Sequence, residues 1–280
     1  MPGARENAGV TADTAAGPDT AALLALAEEI AREAGRLIVE ERPRSLSVTA
    51  TKSSATDIVT EMDQASERLM VSRIRVARPD DGILGEEGAD RTSTSGVTWV
   101  IDPIDGTVNY LYEIPSYAVS VGVRVGDEIV VGVVVNPVSG EVWTARKGAG
   151  AFLDGARVRV NEAPDLAMAL VGTGFGYDAG RRERQAQLLT HVLPRVRDIR
   201  RAGAASLDLC ALATGRLDGY YERGLKPWDL AAGGLVAREA GATVGGLFGV
   251  EAGEAFTVAA PEPLFTQLVA LLEPLRADQA

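Results

Sequence analysis

Hydrophobic positions recur with a helical period at the start of the chain. Leu23, Leu26, Ala27, Ile30, Ala34, Leu37 and Ile38 fall on one helical face, and Asp19 or Thr20, just after Pro18, can cap its start. A second helix is predicted from about Glu61 to Ala77, with Met62, Ala65, Leu69 and Ile74 facing inward. The period then shortens to two. "SYAVSVGVRV" (116–125), "EIVVGVVVNP" (128–137) and "GEVWTARKG" (140–148) are β-branched and mostly alternating, with turn residues between them. They predict an antiparallel meander. From Arg181 helices alternate with short strands: helical "RRERQAQLLTHVLPRVRDI", interrupted near Pro194, and "SLDLCALATGRL", then the strand "DGYYE". A helix in "PWDLAAGGLVAREAG", the strand "AFTVAA" and the helix "PLFTQLVALLEPL" close the chain.

The pattern predicts α and β elements in layers, with no internal repeat and no long linker. Residues 1–18 are small, polar and aperiodic and read as a disordered tail. One domain is expected over 19–276, with an antiparallel-rich α+β half over 19–160 and an α/β half over 161–276. The 280 residues are enough to bury a sizeable core.

Charge narrows the partners. Asp+Glu number 39 against 28 Lys+Arg, a net charge of -11, so nucleic acid and anionic membrane are poor partners by default. Cys210 is the only cysteine, which rules out an internal disulfide and fits a reducing cytoplasm. His191 is the only histidine, which removes mechanisms needing two. No signal peptide or membrane-spanning run is read from the sequence.

The chemistry concentrates in "WVIDPIDGTVNY" (99–110). Apolar "TWVI" predicts a buried strand with Asp102 at its carboxyl end. Pro103 has no N–H, so the ladder is expected to stop there, leaving the Ile104 carbonyl free to face a ligand. Asp105, Gly106 and Thr107 suit the opening of a short helix, where the Gly106 and Thr107 N–H groups can hold an anion. Two carboxylates, a carbonyl and a hydroxyl on one loop are hard donors suited to Mg²⁺ or Mn²⁺. The plainer alternative, an Asx turn with a helix cap, uses one Asp and leaves the other repelling it. Further acids stand in suitable contexts: Glu86 and Glu87 in "ILGEEGA", Asp57 and Asp63 around "IVT", and Asp229 in the first turn of a helix.

These segments resemble the inositol monophosphatase family of Mg²⁺-dependent, lithium-sensitive sugar phosphatases. The resemblance is carried by "GEE" (85–87), "WVIDPIDGTVNY" and "KPWDLAAGGLVAREAGA" (226–242). "TKSSATDIVTEMDQ" (51–64), "ARKGAGAF" (145–152) and "GRLDGYYE" (215–222) add to it, and it runs from about Ala21 to Leu275. Residues 170–210 are similar to the actinobacterial inositol-1-monophosphatase branch. The resemblance implies an alternating α-β-α-β-α sandwich of the sugar-phosphatase type and a cytoplasmic homodimer. It implies a first metal on Glu86, Asp102 and the Ile104 carbonyl, a second on Asp102, Asp105 and Asp229, and a third, weaker one sharing Glu86. Glu86 and Thr107 would hold the attacking water, with Asp63 accepting from Thr107. The phosphate would rest on the Gly106 and Thr107 N–H groups. Asp105, Glu222 and an alanine after a Gly-Ser or Gly-Thr pair would read the sugar hydroxyls.

This chain departs at that pair. Gly203-Ala204-Ala205 has no hydroxyl at Ala204, although the backbone of Gly203 and Ala205 could still serve. Lys52 would steady the active-site loop or be a plain surface lysine. The implied reaction is direct hydrolysis of inositol 1-phosphate to inositol and phosphate. Histidinol phosphate or fructose 1,6-bisphosphate is an alternative small ester, and a catalytically idle regulatory or binding protein is an alternative of another class.

Four decoys are set aside. "CALATGR" has the Cys-x₅-Arg spacing of tyrosine phosphatases, but Leu207, Cys210 and Leu217 follow helical periodicity and predict a buried thiol. Asp102 and Asp105 are separated by two residues, whereas a haloacid-dehalogenase pair needs one. His191 is read as structural or solvated, and "GTGFG" (172–176) lacks the rest of a dinucleotide site.

Overall fold

The computed structural model of the protein describes residues 18–43, 48–52 and 58–280. The expectations for residues 1–17 and for Asp57 lie outside the described residues.

Asp19 caps α1 (Thr20–Glu40), its side chain accepting from the N–H groups of Ala21 and Ala22 at 2.9 and 3.2 Å. Leu23, Ala27, Ile30, Ala34 and Ile38 are buried as the spacing predicts, with Leu26 and Leu37 half-buried beside them. β1 (Val48–Thr51) and β2 (Ile58–Thr60) pair antiparallel. Thr60 then opens α2 (Glu61–Ala77) through a capping box with Asp63. The extent of α2 is as expected, and so is the burial of Met62 and Ile74, but its inward face also takes in polar groups. Met62, Asp63, Ser66, Glu67, Met70 and Ile74 are buried, while Ala65 and Leu69 are only half-buried. The helix turns polar groups inward because they have partners there, described below.

The first half continues through β3 (Gly82–Gly85), β4 (Asp90–Arg91), β5 (Val97–Asp105) and α3 (Thr107–Leu111). β6 (Ala118–Val125), β7 (Glu128–Val135), β8 (Val142–Arg146), β9 (Gly150–Leu153) and β10 (Ala156–Val158) complete it. These form an eight-stranded sheet in the order β10-β9-β8-β7-β6-β5-β3-β4. The meander is β6 to β8, as the alternation predicts. β3 and β5 are parallel, which sets their carboxyl ends side by side.

The second half holds β11 (Leu170–Thr173), α4 (Ala179–Val192), β12 (Asp198–Arg200), α5 (Ala205–Ala213) and β13 (Gly219–Glu222). α6 (Pro227–Glu239), β14 (Thr243–Gly245), β15 (Thr257–Ala260) and α7 (Leu264–Leu272) follow. Its five-stranded sheet has the order β12-β11-β13-β15-β14. The layers are α-β-α-β-α. α1 and α2 pack on one face of the large sheet around Trp99, Ile101 and Val121. α5 and α6 fill the space between the sheets, meeting the large one through Val134 and Trp143 and the small one through Tyr220 and Ala259. α4 and α7 cover the outer face of the small sheet around Val192, Val258 and Leu268.

The central pair of helices approaches the large sheet very closely. A β-carbon built on Gly132 would lie 2.7 Å from the Ala232 carbonyl, and one on Gly122 would lie 2.7 Å from the Ala231 β-carbon. The two glycines let α6 lie directly on β6 and β7, and α6 carries Asp229 in its first turn. Even one methyl at Gly132 must push the helix away from the sheet. Gly132→Ala is expected to lose about 1–3 kcal/mol of stability, read by urea unfolding of the full chain. An unchanged urea midpoint would mean that α6 is not seated as described.

Candidate active site

Four chain segments converge on one cavity of about 660 Å³, lined by Glu86, Asp102, Asp105, Thr107, Glu222 and Asp229 among others. Glu86 follows β3, Asp102 and Asp105 end β5, Asp229 opens α6 and Glu222 ends β13.

β5 does not stop at Pro103. Asp102 pairs with Ser120 and Asp105 with Ala118, so the ladder carries one extra residue at Pro103-Ile104 and then resumes. The missing proline N–H is absorbed as a bulge rather than an end. Ser66 of α2 donates to the Pro103 carbonyl at 3.3 Å and pins the bulge from the other side. The Ile104 carbonyl, expected to be free, lies 3.1 Å from the Thr107 hydroxyl, whose one proton can go either there or to Asp63, also at 3.1 Å. Gly106 then takes φ 94°, the left-handed turn that starts α3. A β-carbon there would also crowd the Ser116 carbonyl at 3.0 Å.

Asp102, Asp105 and Asp229 each offer a carboxylate oxygen, and these atoms lie within 4.8 Å of one another. Burial pushes Asp102 well above the usual carboxylate range, and the neighbouring Glu86, Asp105 and Asp229 push it further. Burial does the same to Asp229, followed by Asp105 and Glu86. Asp105 is raised to about 6: burial lifts it, bonds from Ser206 pull it back, and Glu86 adds to the rise. Neutral donors orient these acids. Ile104 N–H gives to Asp102 at 3.0 Å, and Lys226 N–H gives to Asp229 at 2.7 Å. Asp105 accepts from the N–H groups of Ala205 and Ser206 and from the Ser206 hydroxyl.

Asp63 and Thr107 form the pair that the resemblance implies. The Thr107 hydroxyl donates to Asp63 at 3.1 Å, and Asp63 also accepts from the Thr60 N–H at 2.8 Å and from the Thr60 hydroxyl. Burial raises Asp63 to about 6 against the lowering effect of those Thr60 bonds. Glu86 lies close to Asp102. Lys52 bridges Glu86 and Glu87 at 2.7 Å to each, so it is not a plain surface lysine. Burial alone would lower its pKa, but the two carboxylates prevail and raise it. The loop of Glu86 is shaped by Glu67, which accepts from the Glu87 and Ala89 N–H groups at 2.8 and 3.0 Å.

On the opposite wall Glu222 accepts from the Tyr220 hydroxyl at 2.5 Å. Burial raises Glu222 to about 7, opposed by Tyr220 and Arg201. Gly203 and Ala204 line the same wall and face the Gly106 turn. Asp208 of α5 is buried beside them and raised to about 8, by burial first and then by Glu222 and Asp105. Glu86, Asp102, Ile104, Asp105, Gly106, Thr107, Gly203, Ala205, Glu222 and Asp229 all line the cavity, Asp63 touches it through Thr107, and Glu87 does not line it. Sequence reasoning missed Glu67, Ser206, Asp208 and Arg201. Glu67 alone left a signal, standing four residues after Asp63 on the same helix face.

Cys210 is fully buried in α5. His191 is exposed late in α4 and lies 3.1 Å from the Gln187 carbonyl.

The donor set fits a divalent cation. Three carboxylates face one another, Asp102 and Asp105 buried and Asp229 half-buried; burial first and then the neighbouring acids raise their pKa values. Among the described residues no Lys or Arg side chain is bonded to any of the three. Hard carboxylate oxygens at this spacing suit a small dication, whose charge would remove the repulsion.

Comparison with known proteins agrees with this chemistry. The model of the inositol monophosphatase family matches residues 19–275. The inositol-1-monophosphatase SuhB of Mycobacterium tuberculosis is 48% identical over 244 residues, 81% of this chain and 84% of that protein. The solved structure of Mycobacterium tuberculosis SuhB superposes with a TM-score of 0.77 at 45% identity, covering 91% of this chain and 97% of that one. The Nus factor SuhB of Pasteurella multocida is 38% identical over 263 residues, 92% of this chain and 98% of that protein. By the reach of the family match and the identity of such relatives, the chain belongs to the inositol monophosphatase family.

Proposed function

We infer that this protein hydrolyses inositol 1-phosphate to inositol and inorganic phosphate, with Mg²⁺ as its cofactor. The observation that carries the reading is the Asp102-Asp105-Asp229 cluster set against the Asp63–Thr107 pair. The Mycobacterium tuberculosis relative named for inositol-1-monophosphatase activity supports the choice of substrate. Asp102, Asp105 and Asp229 would hold one ion, Glu86, Asp102 and the Ile104 carbonyl another, and Glu86 a share in a third, weaker one. Li⁺ would compete at one of these positions. We also place the protein in the cytoplasm as a homodimer. No helix among the described residues is long and apolar enough to cross a membrane.

Bound dications supply the positive charge that a phosphate needs in this acidic cavity and make a water more acidic. The chain's own residues position the reactants. With the single Thr107 hydroxyl proton given to Asp63 rather than to the Ile104 carbonyl, the Thr107 oxygen is left to accept from the attacking water. Glu86 accepts the second hydrogen bond of that water, which turns a water lone pair toward phosphorus. The water oxygen bonds to phosphorus as the bond to the inositol oxygen breaks; the water gives up one proton and the departing inositol oxygen takes one from solvent, so that inositol and phosphate result. Gly106 and Thr107 N–H groups hold the phosphate oxygens, and Glu222 with the backbone at Gly203 and Ala205 orients the inositol ring. Positioning and charge, not a covalent intermediate on the protein, carry the rate.

A second reading, a binding protein that keeps the fold, is favoured by relatives that bear the name Nus factor SuhB. The complete acidic set weighs against an idle site, because a pure binding role has no use for three mutually repelling carboxylates held together.

Initial rates with Mg²⁺ on inositol 1-phosphate, histidinol phosphate, fructose 1,6-bisphosphate and adenosine 3′,5′-bisphosphate separate these readings. The first ester is expected to give the highest kcat/KM, and Asp102→Asn to lower turnover by at least about a hundredfold at saturating Mg²⁺. Preference for another ester would replace the substrate, and full turnover by Asp102→Asn would remove the metal role.

The raised carboxylates predict a pH dependence. Asp63 and Asp105 lie at about 6, Glu222 at about 7 and Asp208 at about 8, above ordinary values of about 4. The folded, metal-free chain thus binds protons more tightly than the unfolded one. That stabilisation is complete below about pH 4 and is lost as pH rises through about 6 to 8. The metal-free Tm is expected to fall between about pH 5 and pH 8, and Mg²⁺ to raise Tm more at the higher pH, where it need not displace protons. A metal-free Tm that climbs over this range would contradict the assignment.

A further inference from the structure

Asp105 is the carboxylate of the cluster that both halves of the fold hold. It ends β5 of the large sheet, yet its donors come from the start of α5, a hundred residues later in the chain. Oδ2 accepts from the Ser206 hydroxyl at 2.5 Å and from the Ser206 N–H at 2.7 Å. Among the described residues Oδ1 accepts only from the Ala205 N–H, at a longer 3.3 Å. A carboxylate oxygen offers two in-plane lone pairs, so Oδ2 is fully used and Oδ1 keeps one open. The Ser206 side chain is wholly buried and makes no other hydrogen bond among the described residues. It stands two positions after Ala204, where the expected hydroxyl is missing.

We propose that Ser206 is a positioning residue that closes Oδ2 of Asp105 and presents Oδ1 alone to the divalent cation. The proposal rests on the reading of Asp105 as a cation ligand. The terminal torsion of an aspartate is broad and roughly two-fold, so backbone N–H groups alone leave the carboxylate free to rock. A short bond from a buried hydroxyl to an ionised oxygen removes that freedom. Mg²⁺ demands near-octahedral geometry, which favours one fixed oxygen from each acid over a mobile pair. With Oδ2 closed, Asp105 serves the cation rather than the sugar. Reading of the inositol hydroxyls passes to Glu222 and the backbone around Gly203 and Ala205. The hydroxyl absent at Ala204 is thus not simply lost. A hydroxyl on the same helix start does a different task, on the metal side of the cavity.

The test uses the purified full chain and Mn²⁺ alone, with free Mn²⁺ read by electron paramagnetic resonance. Ser206→Ala and the near-isosteric Ser206→Cys, which keeps the volume if alanine impairs folding, are compared with Val192→Ala. Val192 is buried in the outer core of the second half, away from the cavity. Both Ser206 variants are expected to weaken Mn²⁺ binding about tenfold, the loss of one charge-assisted bond. Their kcat/KM ratio between inositol 1-phosphate and 2-glycerophosphate is expected to stay within about twofold of the unaltered protein. Val192→Ala is expected to lower Tm and keep its Mn²⁺ affinity. Unchanged Mn²⁺ affinity in both Ser206 variants, an equal loss in Val192→Ala, or a change confined to the substrate ratio would each overturn the proposal. Failure of the unaltered protein to bind Mn²⁺ would overturn both the cation reading and the role of Ser206. Binding by the unaltered protein that both variants match would overturn the role of Ser206 only.

Discussion

Like-charge repulsion in a dry place governs this molecule. Asp102, Asp105 and Asp229 bring carboxylate oxygens within 4.8 Å of one another, and the side chains of Asp102 and Asp105 are buried. Such a cluster is costly unless protons or cations share it. The surroundings orient the three acids without neutralising them. Each is held by backbone N–H groups, with the Ser206 hydroxyl added at Asp105. The ammonium groups lining the cavity are engaged elsewhere, Lys52 by Glu86 and Glu87 and Lys226 by Glu254. What remains is a preorganised negative cavity whose unmet need is positive charge.

The fold exists in the form it does to bring those acids together from distant parts of the chain. The parallel pair β3 and β5 sets Glu86 beside Asp102, and the bulge at Pro103 turns Asp105 inward. Gly122 and Gly132 let α6 lie on the large sheet so that Asp229 reaches the same point. α5 starts against Asp105 and joins the second half to the first through Ser206. Catalysis by positioning needs this rigidity, since small displacements of a ligand or of the Thr107 hydroxyl misplace the attacking water.

Much of this was legible in the sequence wherever one residue pattern sufficed. α1 and the meander follow from a strong hydrophobic period. The run from Asp102 to Thr107 announces its chemistry because its donors are neighbours in the chain. The inward face of α2 was only partly foreseen because Asp63, Ser66 and Glu67 are buried for partners lying far away in sequence. Ser206 escaped for the same reason: its only side-chain partner is 101 residues earlier. Pro103 was expected to end the ladder because the expectation weighed its missing N–H and not the capacity of β6 to absorb a bulge.

The most direct measurement is crystallographic. Crystals of the full chain soaked in Mn²⁺ and measured at the manganese absorption edge report where the cation sits. An anomalous peak is predicted within about 2.0–2.3 Å of carboxylate oxygens from Asp102, Asp105 and Asp229. A cavity without such a peak at saturating Mn²⁺, or manganese bound only elsewhere, would contradict the account.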